Sequence, residues 1–295
     1  MNTSDILQDV VREIRRGAQE YAAILEPASR TSVRARVLSL LERVDFLPGP
    51  VKTVRVSPEE LTRDGLLRGA LHLHVDLVFR SSLSSEELLF TAARGWVYAA
   101  YHESLEGFPV GVVLALPVSK MIRKRSELFA DKGPTPAETK SVVIYSVATN
   151  PPKLGAGQAL IEAVRDNATT MASSPSLVAF SPLTGMRARI IRAVDDAAVW
   201  SEIASRLEAV DPAVLRPQLL ELLTLANLPE SVPEPAASWL LAEGRLFAQS
   251  DAYRAGSFHR SMGARLVGLS ECGDPSDGES MWMRAYYEYE TDGSK

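Results

Sequence analysis

The chain has 295 residues, 46% of them hydrophobic and 23% charged, which is enough apolar side chain for a real core and too much for a disordered or fibrous protein. Its 32 basic against 37 acidic residues leave a formal charge of -5, a balance that offers no bulk positive field for a polyanion and argues against nucleic acid as a main partner. A single cysteine, Cys272, allows neither an intrachain disulfide nor a cysteine-rich zinc cluster, which fits a reducing, cytoplasmic compartment. No apolar run approaches the ~20 residues that span a bilayer, and the start MNTSDILQDVVREIRR lacks a signal-peptide core, so neither membrane insertion nor export is expected.

From the N-terminus, Ile6, Leu7, Val10, Val11, Ile14, Ala18, Tyr21, Ala22 and Leu25 recur at three- and four-residue spacing and predict an amphipathic helix. Glu26-Pro27 ends it, and a second helical pattern, Val33, Val37, Leu41 and Val44, runs to the breaker Pro48-Gly49-Pro50. Their apolar stripes can be covered by the main domain or by a second subunit, and the sequence leaves both open, a homo-oligomer among them. Ser57-Pro58-Glu59-Glu60 combines a capping serine, a proline at the first helical position and a returning glutamate, which predicts a short helix to about Arg68. The expected division is an N-terminal helical region over 1–69 and a main domain over 70–295.

Residues 71–79 alternate, with Leu71, Leu73, Val75, Leu77 and Phe79 on one face and His72, His74 and Asp76 on the other, the pattern of a half-buried strand. Two histidines alternating on a strand can face one metal ion, but further ligands would have to come from His102 and His259, and the chain lacks regular βα repeats. The solvated polar face of an edge strand is the reading adopted, and no metal site is expected. Further strands are predicted over 95–101, 110–116 and 141–147, the last two nearly continuous in apolar residues and therefore central. The charged, proline-bearing stretch 120–140 between them reads as a helix followed by an exposed loop.

After the strand at 141–147 comes NPPKLGAGQALIEAV, a glycine loop that passes into helical spacing. Lys153, Leu154, Gly155, Ala156, Gly157 and Gln158 thus sit at a helix N-terminus, where backbone N–H groups and the helix dipole favour a phosphate and glycine lets the backbone come close. Strand-to-helix turns also use glycine for geometry alone. The loop is neither a Walker loop, which needs Gly-Lys-Ser/Thr, nor the dinucleotide fingerprint with its third glycine. A short strand at 176–180 leads into Ser181-Pro182-Leu183-Thr184-Gly185. Helical periodicity then runs through Ile190, Val194, Trp200, Ile203 and Leu207 to about Ser250, and β character returns at 264–269 and 282–289.

The glycine loop resembles the pyrophosphate loop of the GNAT acetyltransferase superfamily, which holds coenzyme A. SVVIYSVATNPPKLGAGQALIEAV, then LVAFSPLTGM, then DAYRAGSFHRSMGARL with MWMRAYYEYE resemble, in that order and over roughly 95–290, the catalytic domain of malonyl-CoA decarboxylase, a decarboxylase built on the GNAT fold. The resemblance implies an α+β protein with a mixed, twisted GNAT-type sheet, flanking helices, a helical insertion at about 186–250 and a small N-terminal helical cap. It places the family's catalytic serine on Ser181, its catalytic histidine on His259 and a late substrate-facing tyrosine on Tyr286. The other rings of this end, Trp282, Tyr287 and Tyr289, are assigned to the core. Three positions depart from the family pattern: Thr184 replaces a proline, and Met262 and Ala285 replace asparagines.

The activity implied is decarboxylation of a malonyl-type thioester, on coenzyme A or an acyl carrier protein, to the acetyl-type thioester. No metal or organic cofactor is implied, because the thioester itself is the electron sink. In this expectation His259, with an ordinary pKa near 6.5, protonates the enolate, and Ser181 binds the carboxylate or orients the histidine. Acyl transfer from coenzyme A to an amine or alcohol, and a thioester-binding module without turnover, remain open alternatives.

Overall fold

A computed structural model of the chain describes residues 3–24, 27–42, 49–78, 84–105, 107–122, 125–130, 133–150, 155–206, 211–227, 229, 231–270 and 278–290. The chain separates into two compact units interleaved in sequence, Met1–Ser119 with Lys132–Leu177 and Lys120–Asp131 with Val178–Lys295. Their limits do not coincide with a boundary near residue 69.

In the first unit, α1 (Thr3–Ala23) buries Val10, Ile14, Ala18 and Tyr21, and α2 (Pro27–Glu42) buries Val33, Val37 and Leu41, the stripes that the spacing predicts. They pack on each other, and α1 also packs on α4 (Gly65–Val78). A short strand, β1 (Val51–Arg55), precedes α3 (Pro58–Arg63). At the start of α3 the Glu60 amide donates to Ser57 Oγ at 3.2 Å and the Ser57 amide donates to Glu60 Oε2 at 2.8 Å, the reciprocal cap that the sequence announces. That helix stops at Arg63, before Arg68, because Asp64 is extended and caps α4 by accepting from the Leu67 amide at 3.0 Å.

The strand expected over 71–79 is instead the second half of α4; Phe79 lies outside the described residues. Leu71, Leu73 and Val75 are fully buried, and so are His72 and His74, so the helix is surrounded here and the alternation of residue types marks no exposed face. Residues two apart on a helix point about 200° apart, so His72 and His74 cannot face one ion, and neither lies on a solvated strand edge. His74 Nε2 donates to the Pro109 carbonyl at 2.8 Å, and His72 Nε2 lies 3.2 Å from Ser85 Oγ.

After α5 (Ser85–Arg94), β2 (Trp96–His102), β3 (Pro109–Val118) and β4 (Ser141–Thr149) continue β1 as an antiparallel meander, with Val51 opposite His102, Trp96 opposite Ala115 and Val118 opposite Ser141. β3 and β4 are buried almost throughout, which is why their sequences carry no alternation. α7 (Ala156–Thr169) follows β4 and buries Leu160, Ile161, Val164 and Ala168; the short α6 (Arg125–Ala130) between β3 and β4 belongs to the second unit.

The second unit carries β5 (Ser176–Pro182) from Val178 onward, the helices α8 (Met186–Asp195), α9 (Ala197–Arg206), α10 (Pro212–Thr224), α11 (Ala236–Gln249) and α12 (Arg254–Ser261), and the strands β6 (Ala264–Ser270) and β7 (Arg284–Tyr289). α8 to α11 are the helical insertion expected at about 186–250. β7 lies between β5 and β6 and pairs with β6 antiparallel, Ala264 opposite Tyr289 and Leu266 opposite Tyr287. Among the described residues no helix is long and apolar enough to cross a membrane.

Candidate active site

β5 carries Ser181 to its C-terminal end, half-buried, just before Pro182. The chain then turns through Leu183-Thr184 to Gly185, whose φ of 100° opens α8, and the Leu183 amide donates to the Met283 carbonyl at 3.0 Å. α12 is preceded by Tyr253, whose hydroxyl donates to the Pro182 carbonyl at 2.7 Å and so ties the end of β5 to the start of this helix. One turn and a half along α12 stands His259, 4% exposed, with Nε2 2.8 Å from Ser181 Oγ. Side chains 78 positions apart in sequence thus meet within hydrogen-bond distance.

Three further features fix the histidine. Its Nδ1 lies 2.6 Å from the Tyr289 hydroxyl, and the Tyr289 ring stands edge-on to it. Tyr287 lies against its face, with ring centroids 5.0 Å apart and planes 24° apart, and the Tyr287 hydroxyl donates to the Ala248 carbonyl at 2.7 Å. Arg260 donates to the same carbonyl at 2.7 Å and to that of Ser250 at 3.1 Å, which holds the last turn of α12 to the end of α11. The packing requires glycine at position 256: a Cβ there would stand 2.5 Å from the Tyr287 hydroxyl and 2.7 Å from the Ala248 carbonyl oxygen. Burial in this cage strips the imidazolium of water and lowers the His259 pKa from 6.5 to about 3, so the ring is neutral at pH 7. Burial likewise pushes the Tyr287 hydroxyl up to about 12, with nearby Arg260 opposing the rise.

Ser181 and His259 are therefore brought together, and Tyr286 is not brought to them. Side chains alternate along β7, so Tyr287 and Tyr289 share the face toward His259 while Tyr286 takes the other face. There its ring packs against Phe180, 5.0 Å between centroids, and its hydroxyl donates to the Ile122 carbonyl. The sequence reading assigned Tyr287 and Tyr289 to the core; they are buried, and the core they build is the wall of the histidine site. The strand parity of 282–289 is the signal that could have singled them out. Of the departing positions, Met262 caps α12, its amide donating to the Phe258 and His259 carbonyls, and Ala285 is fully buried.

The glycine loop belongs to the first unit. Lys153 and Leu154 lie outside the described residues. Gly155 opens the 14-residue α7 in the left-handed region, φ 71°, and no atom stands within 4 Å of where its Cβ would be. Ala156 and Gly157 are buried, and Gln158 is exposed, its amide donating to Glu162 at 2.8 Å. The N-terminus of α7 thus presents backbone N–H groups beside an uncrowded glycine, a geometry open to an anion.

No protein-family model and no curated protein matches the chain at the level of sequence. Its fold does match solved structures. The malonyl-CoA decarboxylase of Rhodopseudomonas palustris superposes with a TM-score of 0.65 at 17% identity, over 97% of this chain and 70% of the other. That of Agrobacterium vitis gives 0.64 at 16% identity, over 95% and 80%. The loading GNATL domain of CurA from Lyngbya majuscula gives 0.50 at 12% identity, over 83% of this chain and all of that domain. The chain therefore has the α+β, GNAT-like fold of the malonyl-CoA decarboxylases.

Proposed function

We propose that this protein is a decarboxylase that converts a malonyl-type thioester, carried on coenzyme A or on the phosphopantetheine arm of an acyl carrier protein, to the acetyl-type thioester and carbon dioxide. The observation that carries the reading is the hydrogen bond between Ser181 Oγ at the end of β5 and His259 Nε2 on α12, in a fold shared with malonyl-CoA decarboxylases.

Loss of carbon dioxide leaves an enolate, so a site for this reaction must favour the departing carboxylate's release from water, stabilise an oxyanion and return one proton to carbon. Ser181 is accessible enough to meet the substrate, and buried His259 backs it. A histidine whose pKa is lowered to about 3 is not a ready-charged acid at neutral pH. His259 therefore works through its bond to Ser181 and not as an imidazolium, which revises the expectation drawn from its ordinary pKa.

The thioester carbonyl accepts the electron pair in this scheme, so the chemistry asks for no metal or organic cofactor. The loop 153–158 would hold the pyrophosphate of coenzyme A, a role supported by the open Gly155 and the N-terminus of α7. Tyr286 serves in this reading by holding the segment at Ile122, since its hydroxyl is engaged there. The single cysteine supports a reducing, cytoplasmic setting.

The test is mass spectrometry of the protein incubated separately with malonyl-CoA, methylmalonyl-CoA and malonyl-loaded carrier protein, against the His259→Ala variant. Acetyl or propionyl thioester formed only by the parent protein is the expected result. Intact thioester in every tube overturns the reading.

A further inference from the structure

The hydrogen-bond chain from Ser181 through His259 to Tyr289 can run in either direction, and the direction decides what the serine is. A neutral imidazole carries one ring proton, so it donates from one nitrogen and accepts at the other. If Ser181 donates to Nε2, then Nδ1–H donates to Tyr289 and the serine is a nucleophile poised by its base, the arrangement of an acyl-transfer enzyme. If Tyr289 donates to Nδ1, then Nε2–H donates to Ser181 and the serine hydrogen is left for the substrate.

Two observations favour the second direction. A phenol, with an ordinary pKa of about 10, is a much stronger acid than an alcohol, and its oxygen, conjugated with the ring, is the poorer acceptor. The tyrosine end is thus the better donor and the serine end the better acceptor. The distance at the tyrosine end agrees: 2.6 Å between Nδ1 and the Tyr289 oxygen falls below the roughly 2.7–3.2 Å usual when N–H donates and within the range for an O–H donor. The 2.8 Å between Nε2 and Ser181 Oγ suits a donor of either kind, so the tyrosine end sets the direction. Tyr289 is itself held in place, 1% exposed on the same face of β7 as Tyr287 and opposite Ala264 in the β6 pairing.

We infer that Tyr289 is a positioning residue that holds His259 as the Nε2–H tautomer, so that Ser181 presents a hydrogen to the substrate and acts as a proton donor instead of a nucleophile. The tautomer stands on the hydrogen-bond geometry and the relative acidity of the two hydroxyls; its use in turnover rests on the decarboxylase reading. In that use, the electron pair left on the enolate carbon takes the Ser181 hydroxyl proton and forms the new C–H bond. Oγ then takes the proton of Nε2 and Nδ1 takes that of Tyr289; after the product leaves, the same chain runs back, Nδ1 returning its proton to the buried Tyr289 oxygen and Oγ its proton to Nε2, while half-buried Ser181 takes a proton from water. The direction is favourable because a phenol is a far stronger acid than the α-carbon of a thioester.

The experiment is nitrogen NMR of the full chain with ring-labelled histidine, at neutral pH and without substrate. The sequence has four histidines, and the His259 signals are those lost in His259→Gln. Nε2 protonated and Nδ1 bare in the parent protein, changing to the Nδ1–H form or a mixture in Tyr289→Phe, is the expected result. An Nδ1–H histidine in the parent, or an unchanged Nε2–H form in folded Tyr289→Phe, overturns it; should that variant not fold, the parent spectrum decides alone. An alkyl fluorophosphonate supplies the second measurement: Ser181 should resist labelling in the parent and label about tenfold faster or more in Tyr289→Phe, where the serine can donate to Nε2. Rapid labelling of the parent sinks the proposal. A protein that shows the Nε2–H tautomer yet leaves every malonyl thioester intact would remove the decarboxylase reading and leave the tautomer standing.

Discussion

His74 on α4 and His259 on α12 are both buried histidines on helices, and burial lowers both pKa values, to about 4 and about 3. Their partners differ. His74 donates to the Pro109 carbonyl, a group that can only accept, so its tautomer is set and no proton can pass; its Nδ1 is buried without a hydrogen-bond partner. His259 has a hydroxyl at each nitrogen, and a hydroxyl can give a proton and take one back. A depressed pKa therefore marks burial in both places, and what marks a site for chemistry is exchangeable partners on both sides of the ring with one of them at the end of a strand.

The largest effect that would break this comparison is on turnover. His259→Ala should lower the rate of thioester decarboxylation by about 10²–10⁴-fold while thioester binding, read by thermal stabilisation, is retained. His74→Phe, which keeps an aromatic ring at this position, should leave the rate per folded molecule unchanged, and a loss of turnover there would mean that the two histidines are not different in kind.

Acid sharpens the same contrast from the side of stability. Both rings are neutral when folded and can charge when unfolded, so the unfolded chain binds more protons between the folded values and 6.5. Stability present above pH 6.5 is then lost as pH falls toward 4, at about 1.4 kcal/mol per pH unit for each histidine. Denaturant midpoints between pH 7 and 4.5 check this, and His74→Phe should remove its share of the slope. An identical slope in that variant would show that His74 is not titrating as argued.

A smaller effect tests the cage around His259. In Gly256→Ala the new Cβ would stand 2.7 Å from a backbone oxygen, so α12 has to shift, at about 1–3 kcal/mol of stability with a reduced rate. Stability lost with kcat intact would show that the position of α12 is looser than the hydrogen bonds imply. Smallest is the cap of α5, where the Glu87 amide donates to Ser84 Oγ at 3.0 Å: Ser84→Ala should cost about 1 kcal/mol in denaturant unfolding and leave turnover untouched.

That cap also shows what could be read and what was not. Ser84-x-x-Glu87 repeats the pattern of Ser57-x-x-Glu60, and both serines cap helices, yet only the second supported an assignment from sequence. α4 resisted for a different reason: a helix buried on most sides does not need polar residues at the helical period, so Leu71, Leu73 and Val75 could alternate with histidines that find their own partners. β1, short, half-buried and at the end of the meander, carries too little pattern to be seen.

The sequence by itself determined the character of the chain: an acidic protein with an amphipathic first helix, a second helix with a buried apolar stripe, the apolar strands β3 and β4 and the glycine turn at Gly155. Those are local properties, written in the spacing and type of neighbouring residues; the GNAT-like fold and the pair Ser181 and His259 came instead from the resemblance of its motifs, in their order, to malonyl-CoA decarboxylase. Only the tertiary structure decided that α4 is a helix, that His72 and His74 look away from each other, and that Tyr287 and Tyr289 surround His259 while Tyr286 does not. The reason is that burial from several sides and strand parity are set by what packs across the chain, and a motif placed one position along a strand turns each side chain to the opposite face.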